Sequence, residues 1–332
     1  MATTLFDGQT TFEQLTSLGL GVPGKRWLAY GQIPMPSLFS TPPVPLATNA
    51  GTATLNTNFL GGNPGYAGYT NYNPLTALNP PFSLLNPNFP ILDNTTGFAL
   101  SFNVAVTAEQ SQPNRAGFSV TLIDNNGQGI ELGFKEEGDV DRIFAQSANF
   151  IEAEAGNTNI NVATNYILTF IDDTYSLSAD GIEILTGQQR NYNFNPATSS
   201  PPLPFNPYIS PNFLFFGDNT DQGNATFTLG EISVNTFPVA VDDAYTTNED
   251  TALNVPIITG LLSNDKEADS DELTATVVDE PTNGTLTLNP DGSFTYAPIA
   301  DFSGIDSFTY QINDGTADSL NPATVDITVN AV

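Results

Sequence analysis

Short runs of alternating apolar and polar residues, closed by Asn-Gly or Asp-Gly, constrain this chain more than any other feature. Phe118-Ser-Val-Thr-Leu-Ile123 runs into Asp124-Asn-Asn-Gly127, after which Ile130, Leu132 and Phe134 resume the alternation. A period of two turns one side of each run toward a core, and Asn-Gly supplies the positive φ angles of a tight hairpin. Tyr175-Ser-Leu-Ser178, then Asp180-Gly181, then Ile182 to Leu185 predict a second hairpin. Phe98, Leu100, Phe102, Val104 and Val106 mark a longer strand, with Phe213 to Phe216, Thr226 to Leu229 and Ile232 to Asn235 as further ones. Helical spacing is best developed over Phe12 to Leu20. The expected class is all-β.

At 332 residues and 39% hydrophobic content the chain can bury two or three cores. Residues 1 to 24 read as an N-terminal arm, and residues 25 to 237 as a two-sheet sandwich or jelly roll. Within it, residues 31 to 98 are rich in Pro, Gly and Asn, as long ordered loops between short strands require. At Phe237-Pro238 the composition shifts, and residues 238 to 332 read as a second domain.

Seven Lys and Arg stand against 36 Asp and Glu, a formal net charge of −29. Such a chain repels nucleic-acid phosphates and anionic lipid, so cations are its natural partners. There is no Cys and no His. Disulfides, thiolate metal sites, cysteine nucleophiles and serine–histidine–acid triads are thereby excluded, and oxygen chemistry remains. No run of about 18 apolar residues occurs, so no membrane-spanning segment is expected. An acidic, thiol-free, Thr- and Asn-rich β protein fits an extracellular or cell-surface location.

The succession Asp242-Asp243-Ala-Tyr245, Asn248-Glu249-Asp250-Thr251, Leu262-Ser-Asn264-Asp265, Asn283-Gly284-Thr285-Leu286, Asp291-Gly292-Ser-Phe-Thr-Tyr296 and Asp306-Ser-Phe-Thr-Tyr310 resembles the bacterial cadherin-like tandem repeat over residues 238 to 332. Trp27, Ala116-Gly-Phe-Ser-Val-Thr-Leu122, Gly129-Ile-Glu-Leu-Gly-Phe134 and Leu229-Gly-Glu-Ile-Ser-Val234 resemble concanavalin-like, laminin-G-type jelly rolls over about residues 25 to 235. The first resemblance implies an immunoglobulin-type sandwich that binds calcium, with Asp243, Asp250, Asn264, Asp265 and Asp269 as ligands. Calcium takes about six to eight oxygen ligands and relieves the mutual repulsion of clustered acids. Lys266 and Glu267 after Asp265, and Ser270 in place of a glycine, depart from the repeat's usual acidic loop. The alternative is that these acids only solubilise exposed loops.

Other signals are weaker. Glu152 and Glu154 share a strand face, and paired carboxylates can hydrolyse glycosides, but the clustered Glu-x-Asp-x-x-Glu strand of family-16-like glucanases is absent, so no enzyme is expected. Tyr66, Tyr69, Tyr72, Tyr192 and Tyr208 could stack on sugar rings, with anchoring of loops to the core as the competing role. Asn94, Asn224 and Asn283 head glycosylation sequons. The arm could add a strand to a neighbouring copy and so build head-to-tail fibres. The expected protein is a structural or adhesive one that binds calcium and copies of itself, with a carbohydrate-binding module on a cadherin-like spacer as the alternative.

Overall fold

In a computed structural model, the described residues are 89–110, 114–138, 140–195, 206–218, 224–267 and 271–332, with five short strands before them. Those five are β1 (Thr3–Phe6), β2 (Leu28–Gly31), β3 (Ala47–Asn49), β4 (Thr52–Asn56) and β5 (Ala67–Thr70). The helical candidate at Phe12 to Leu20 lies outside the described residues. Contacts divide the chain into two compact units at Val234/Asn235. Among the described residues no helix is long and apolar enough to cross a membrane.

The first unit is a sandwich of two sheets. One has the order β13-β12-β11-β6-β15-β4-β3, built on β6 (Phe98–Gln110), β11 (Thr164–Ile171), β12 (Thr174–Ala179), β13 (Ile182–Gln188) and β15 (Asn224–Thr236). The other has the order β10-β9-β8-β7-β14-β5-β2, built on β7 (Phe118–Ile123), β8 (Gly129–Lys135), β9 (Arg142–Gln146), β10 (Glu152–Asn157) and β14 (Phe213–Asp218). The inward residues of the two sheets meet as rings. Phe102 of β6 packs on Phe134 of β8 and Phe216 of β14, and Phe118 of β7 packs on Phe227 of β15. β1 pairs antiparallel with β15 at Ile232–Val234, beyond the stretch Thr226–Leu229 that β4 covers.

Both predicted hairpins form. Asp180 and Gly181, at φ 47° and 81°, make the two-residue turn between β12 and β13, both with the positive φ that a type I′ turn demands. Between β7 and β8, Asp124 Oδ1 accepts the N–H groups of Asn126 and Gln128 at 2.7 and 2.9 Å, which fixes the turn ahead of Gly127. The outer face of β7, β8 and β14 is roofed by a second apolar cluster of Ile123, Tyr192, Tyr208, Phe213 and Phe215 with Phe150 and Phe194. At one side of the sandwich, edge strands β10 and β13 cross so closely that a Cβ on Gly156 would lie 2.1 Å from the Ile184 carbonyl oxygen.

The second unit is also a two-sheet sandwich. One sheet is β16-β22-β21-β18, from β16 (Asp243–Asn248), β18 (Thr274–Asp279), β21 (Gly304–Asn313) and β22 (Ala323–Asn330); the other is β17-β20-β19, from β17 (Leu253–Val255), β19 (Gly284–Leu288) and β20 (Phe294–Pro298). First and last strands, β16 and β22, run parallel. Tyr245, Phe294 and Phe308 stack edge-on within a core completed by Tyr296, Tyr310, Val325 and Ile327.

Overpacking of a close strand crossing costs typically ~1–3 kcal/mol. Gly156→Val is therefore expected to lower the urea midpoint of the jelly-roll unit. Gly127→Asn has open space around the new side chain and a residue that tolerates positive φ, and is expected to change it far less. Equal midpoints for the two variants would contradict the close crossing.

Candidate cation site

β16 opens on Asp243, and the 3-10 turn Leu261–Ser263 delivers Asn264 and Asp265 to the same point. Tyr310 of β21 reaches that point from the core. Its hydroxyl oxygen lies 3.0 Å from the Val241 carbonyl, 3.4 Å from the Leu261 carbonyl, 3.1 Å from Asp243 Oδ2, and 3.1 and 3.3 Å from the two carboxylate oxygens of Asp265. A phenol has one proton and donates to one of these oxygens at a time. The result is an oxygen cage with more acceptors than donors. Neighbouring groups hold it in shape: Val241 N–H donates to Asp265 Oδ1 at 2.7 Å, and Asn264 Nδ2 donates to the Val241 and Asp242 carbonyls at 3.3 and 3.1 Å.

The electrostatics follow from the crowding. Burial pushes Asp243 up to about 6, against the hydrogen bond from Tyr310, and the charge of Asp265 adds to the rise. Burial also raises Asp265, opposed by Val241 N–H and Tyr310. Among the described residues no three Asp, Glu, His or Cys side chains converge as a metal cluster, so two carboxylates carry the charge of this cage. Its donors are all oxygen, the chemistry of hard cations such as calcium rather than of zinc or copper.

The bacterial cadherin-like domain family matches residues 235–331. That segment is a bacterial cadherin-like domain. No curated protein matches the chain. Solved structures similar to it include the galectin LEC-6 of Caenorhabditis elegans, at 10% identity and a TM-score of 0.27 over 44% of this chain and 86% of that one. A Bacillus subtilis protein of unknown function with a galectin-like fold has 10% identity and a TM-score of 0.34 over 63% and 87%. Trypanosoma rangeli sialidase has 14% identity and a TM-score of 0.30 over 57% of this chain and 26% of its own.

Within the cadherin-like domain, Asp250 does not join the cage. It stands in the turn after β16 at φ 59° and accepts Asp301 N–H at 3.3 Å, and the length of β16 sets it on the order of 20 Å from Asp243. Asp269 and Ser270 lie outside the described residues. Lys266 pairs through its backbone with Val239. The residue sequence reading missed as part of the site is Tyr310. Its signal is the repeated Ser-Phe-Thr-Tyr, because the first copy ends the same way: Tyr296 donates to Asp306 Oδ2 at 2.8 Å. Asp306 also accepts the N–H groups of Thr282, Asn283 and Ser307, so this acid is a structural pin.

In the jelly roll, Tyr192 and Tyr208 are buried, which is the loop-anchoring role and not the sugar-stacking one. Both belong to the roofing cluster, where Tyr208 donates to the buried Glu131 and Tyr192 to the Gln146 carbonyl. Tyr66 and Tyr72 lie outside the described residues, and Tyr69 stands in β5. Asn94 is 4% exposed, too enclosed to carry a glycan. Asn283 is half-buried and its amide nitrogen donates to Thr282 Oγ1 at 3.0 Å; Asn224 stands in β15. Glu152 pairs with Lys135 and Arg142, and Glu154 with Arg190. Despite partial burial, the Arg190 hydrogen bond and charge hold Glu154 below its usual range, opposite to what a general acid needs.

The raised carboxylates set a pH dependence. Between the ordinary 3.8 and about 6, the folded domain keeps a proton on Asp243 that the unfolded chain has released. The contribution of Asp243 to stability is then complete below 3.8 and is lost as pH rises through about 6. In chelator, hydrogen exchange of peptides from β16 and β21 is expected to report lower protection at pH 7 than at pH 4.5, after correction for intrinsic rates. Asp243→Asn should flatten that difference, and an undiminished slope would remove Asp243 as its source.

Proposed function

We propose that the protein is an extracellular structural or adhesive protein whose cadherin-like domain is stiffened by calcium at Asp243 and Asp265, helped by the Val241 and Leu261 carbonyls. The observation that carries this reading is the excess of acceptors around the Tyr310 hydroxyl, in a domain of the bacterial cadherin-like family. When bound, the ion supplies positive charge to two carboxylates that burial and mutual repulsion otherwise drive toward protonation. The chain's own residues do the positioning: Val241 N–H orients Asp265, Asn264 ties down the backbone beneath the cage, and Tyr310 joins it to the core of β21.

A cation at about 100 times its Kd adds ~2.7 kcal/mol to the folded state. In a domain of about 100 residues that raises Tm by roughly 10–20 °C. Calorimetry of the full chain at pH 7.5 is expected to show one transition moving up by that order on adding calcium after chelation, and Asp243→Asn with Asp265→Asn should abolish the shift. A transition insensitive to calcium in the unsubstituted chain rules the reading out.

Assembly belongs to the same reading. Support comes from β1, which completes the β15 edge beyond β4 through backbone hydrogen bonds whose geometry any copy's β15 could offer. Exchange of β1 between copies makes a head-to-tail chain. Light scattering with calcium should then detect polymers that disappear when residues 1 to 24 are removed, and monomers in both samples would end the assembly proposal. The ion pairs at Glu152 and Glu154 support a non-enzymatic role. A carbohydrate-binding role is the second reading, favoured by one face of the jelly roll.

A further inference from the structure

We infer that the outer face of β11, β12 and β13 binds a neutral sugar ring. The inward residues of these strands, Leu168, Phe170, Tyr175, Leu177 and Leu185, belong to the sandwich core, which turns Thr169, Ser176 and Thr186 to the other side. Register then aligns two rows across the three strands. Thr169 stands opposite Ser176 and Ser176 opposite Thr186; Ile171 stands opposite Thr174 and Thr174 opposite Gln188. The rows are about 6.7 Å apart and the strands about 4.8 Å apart.

These six residues, with Tyr175 and Gly187 between the rows, line a cavity of about 260 Å³. That is below the roughly 300–1,000 Å³ of a drug-sized pocket, so it suits one ring rather than an enclosed oligomer. Thr174 Oγ1 donates to the Ile171 carbonyl at 2.8 Å. The hydroxyls of Thr169, Ser176 and Thr186 and the carboxamide of Gln188 have no protein partner among the described residues, and each is at least partly exposed. The cavity thus offers several unengaged donors and acceptors around one apolar group, Ile171. A pyranose ring presents the complement, with hydroxyls on its rim and C–H bonds on a face.

Charge selects among sugars. The lining has no ionised side chain, and the adjacent Glu154 is paired with Arg190. A net charge of −29 repels uronates, sulfated sugars and sialosides. The lining lacks the Trp and Arg that, with Tyr, dominate protein interfaces, and its one Tyr, Tyr175, is buried in the core, which favours sugar over protein as the occupant. Affinity for a single ring is expected near ~1 mM, with binding to a polymer strengthened by repetition. The inference supplies the site for the second reading above and is independent of the calcium cage.

Affinity electrophoresis of the full chain through dextran, laminarin and galactan, with alginate as the anionic control, tests it. The expected result is retardation by at least one neutral polymer and none by alginate, equal with calcium and with chelator. Ser176→Val with Thr186→Val removes two hydroxyls from exposed or half-exposed positions and is expected to weaken retardation about tenfold, as two modest hydrogen bonds would. Ser176→Thr is expected to retain it, separating loss of a hydroxyl from loss of fold. No retardation of the unsubstituted chain, or equal retardation of the double variant, overturns the inference. So does loss of self-association in the double variant without any sugar effect, which would mark the face as a contact between copies. None of these outcomes touches the calcium-dependent melting, so the two readings fail separately.

Discussion

Carboxylates that accept hydrogen bonds from the backbone of turns, their own or a neighbouring one, are the interaction on which both domains depend. Asp124 holds the β7–β8 turn, Asp141 accepts Ile160 N–H, Asp306 fastens the turn before β19, and Asp314 accepts the N–H groups of Thr316 and Ala317, both at 2.6 Å. Asp124, Asp306 and Asp314 are each no more than 3% exposed. A buried carboxylate without partners is prohibitively costly, whereas one that satisfies several backbone donors organises a turn that would otherwise leave them unpaired. In a chain with no disulfides and no histidine, this is how loops between short strands acquire fixed shapes.

That role explains why acid count alone misdirects a search for metal ligands. Asp250, beside Glu249, stands in a motif as acidic as that of Asp243, and Asp306 in another motif of the same repeat, yet each is engaged in shaping a turn. The distinguishing feature of the cage is a deficit of donors: five oxygens meet at one phenol. Nothing local in sequence records such a deficit, because it arises where β16, the Leu261–Ser263 turn and β21 converge from positions some 70 residues apart. The repeat resemblance pointed to Asp243 and Asp265, which the structure brings together, whereas Tyr310 was marked only by the repeated Ser-Phe-Thr-Tyr and not by its place between them.

The strands were legible for the opposite reason. Alternation along Phe98 to Val106 and the Asp180-Gly181 turn are local signals, and each became the predicted strand or hairpin. The aromatic loop residues show where locality ends. Tyr192 and Tyr208 lie in Asn- and Pro-rich segments that read as loops, with no local sign of what they cover; their rings roof a sheet whose outward residues include Ile123, Phe213 and Phe215. A strand buried on both faces shows no clean alternation, and β14, Phe-Leu-Phe-Phe-Gly-Asp, is such a strand. Its continuous apolar run was the available clue that something must cover its outer side.

If calcium occupies the cage as proposed, proton and cation compete for the same two carboxylates, and this competition gives the proposed role its environmental logic. With Asp243 at about 6, a proton can relieve the repulsion with Asp265 under mildly acidic conditions. Above that pH the proton leaves, and two negative charges share one desolvated pocket with a phenol that can answer only one of them. On the proposed reading, the domain without a cation loses stability there, and one supplied with calcium gains occupancy and rigidity together as pH increases. The neutral face on β11, β12 and β13 is exempt from this coupling, since its lining carries no titratable carboxylate. On the proposed reading, one chain thus separates a recognition surface that ignores pH and cations from a spacer whose stiffness is set by both.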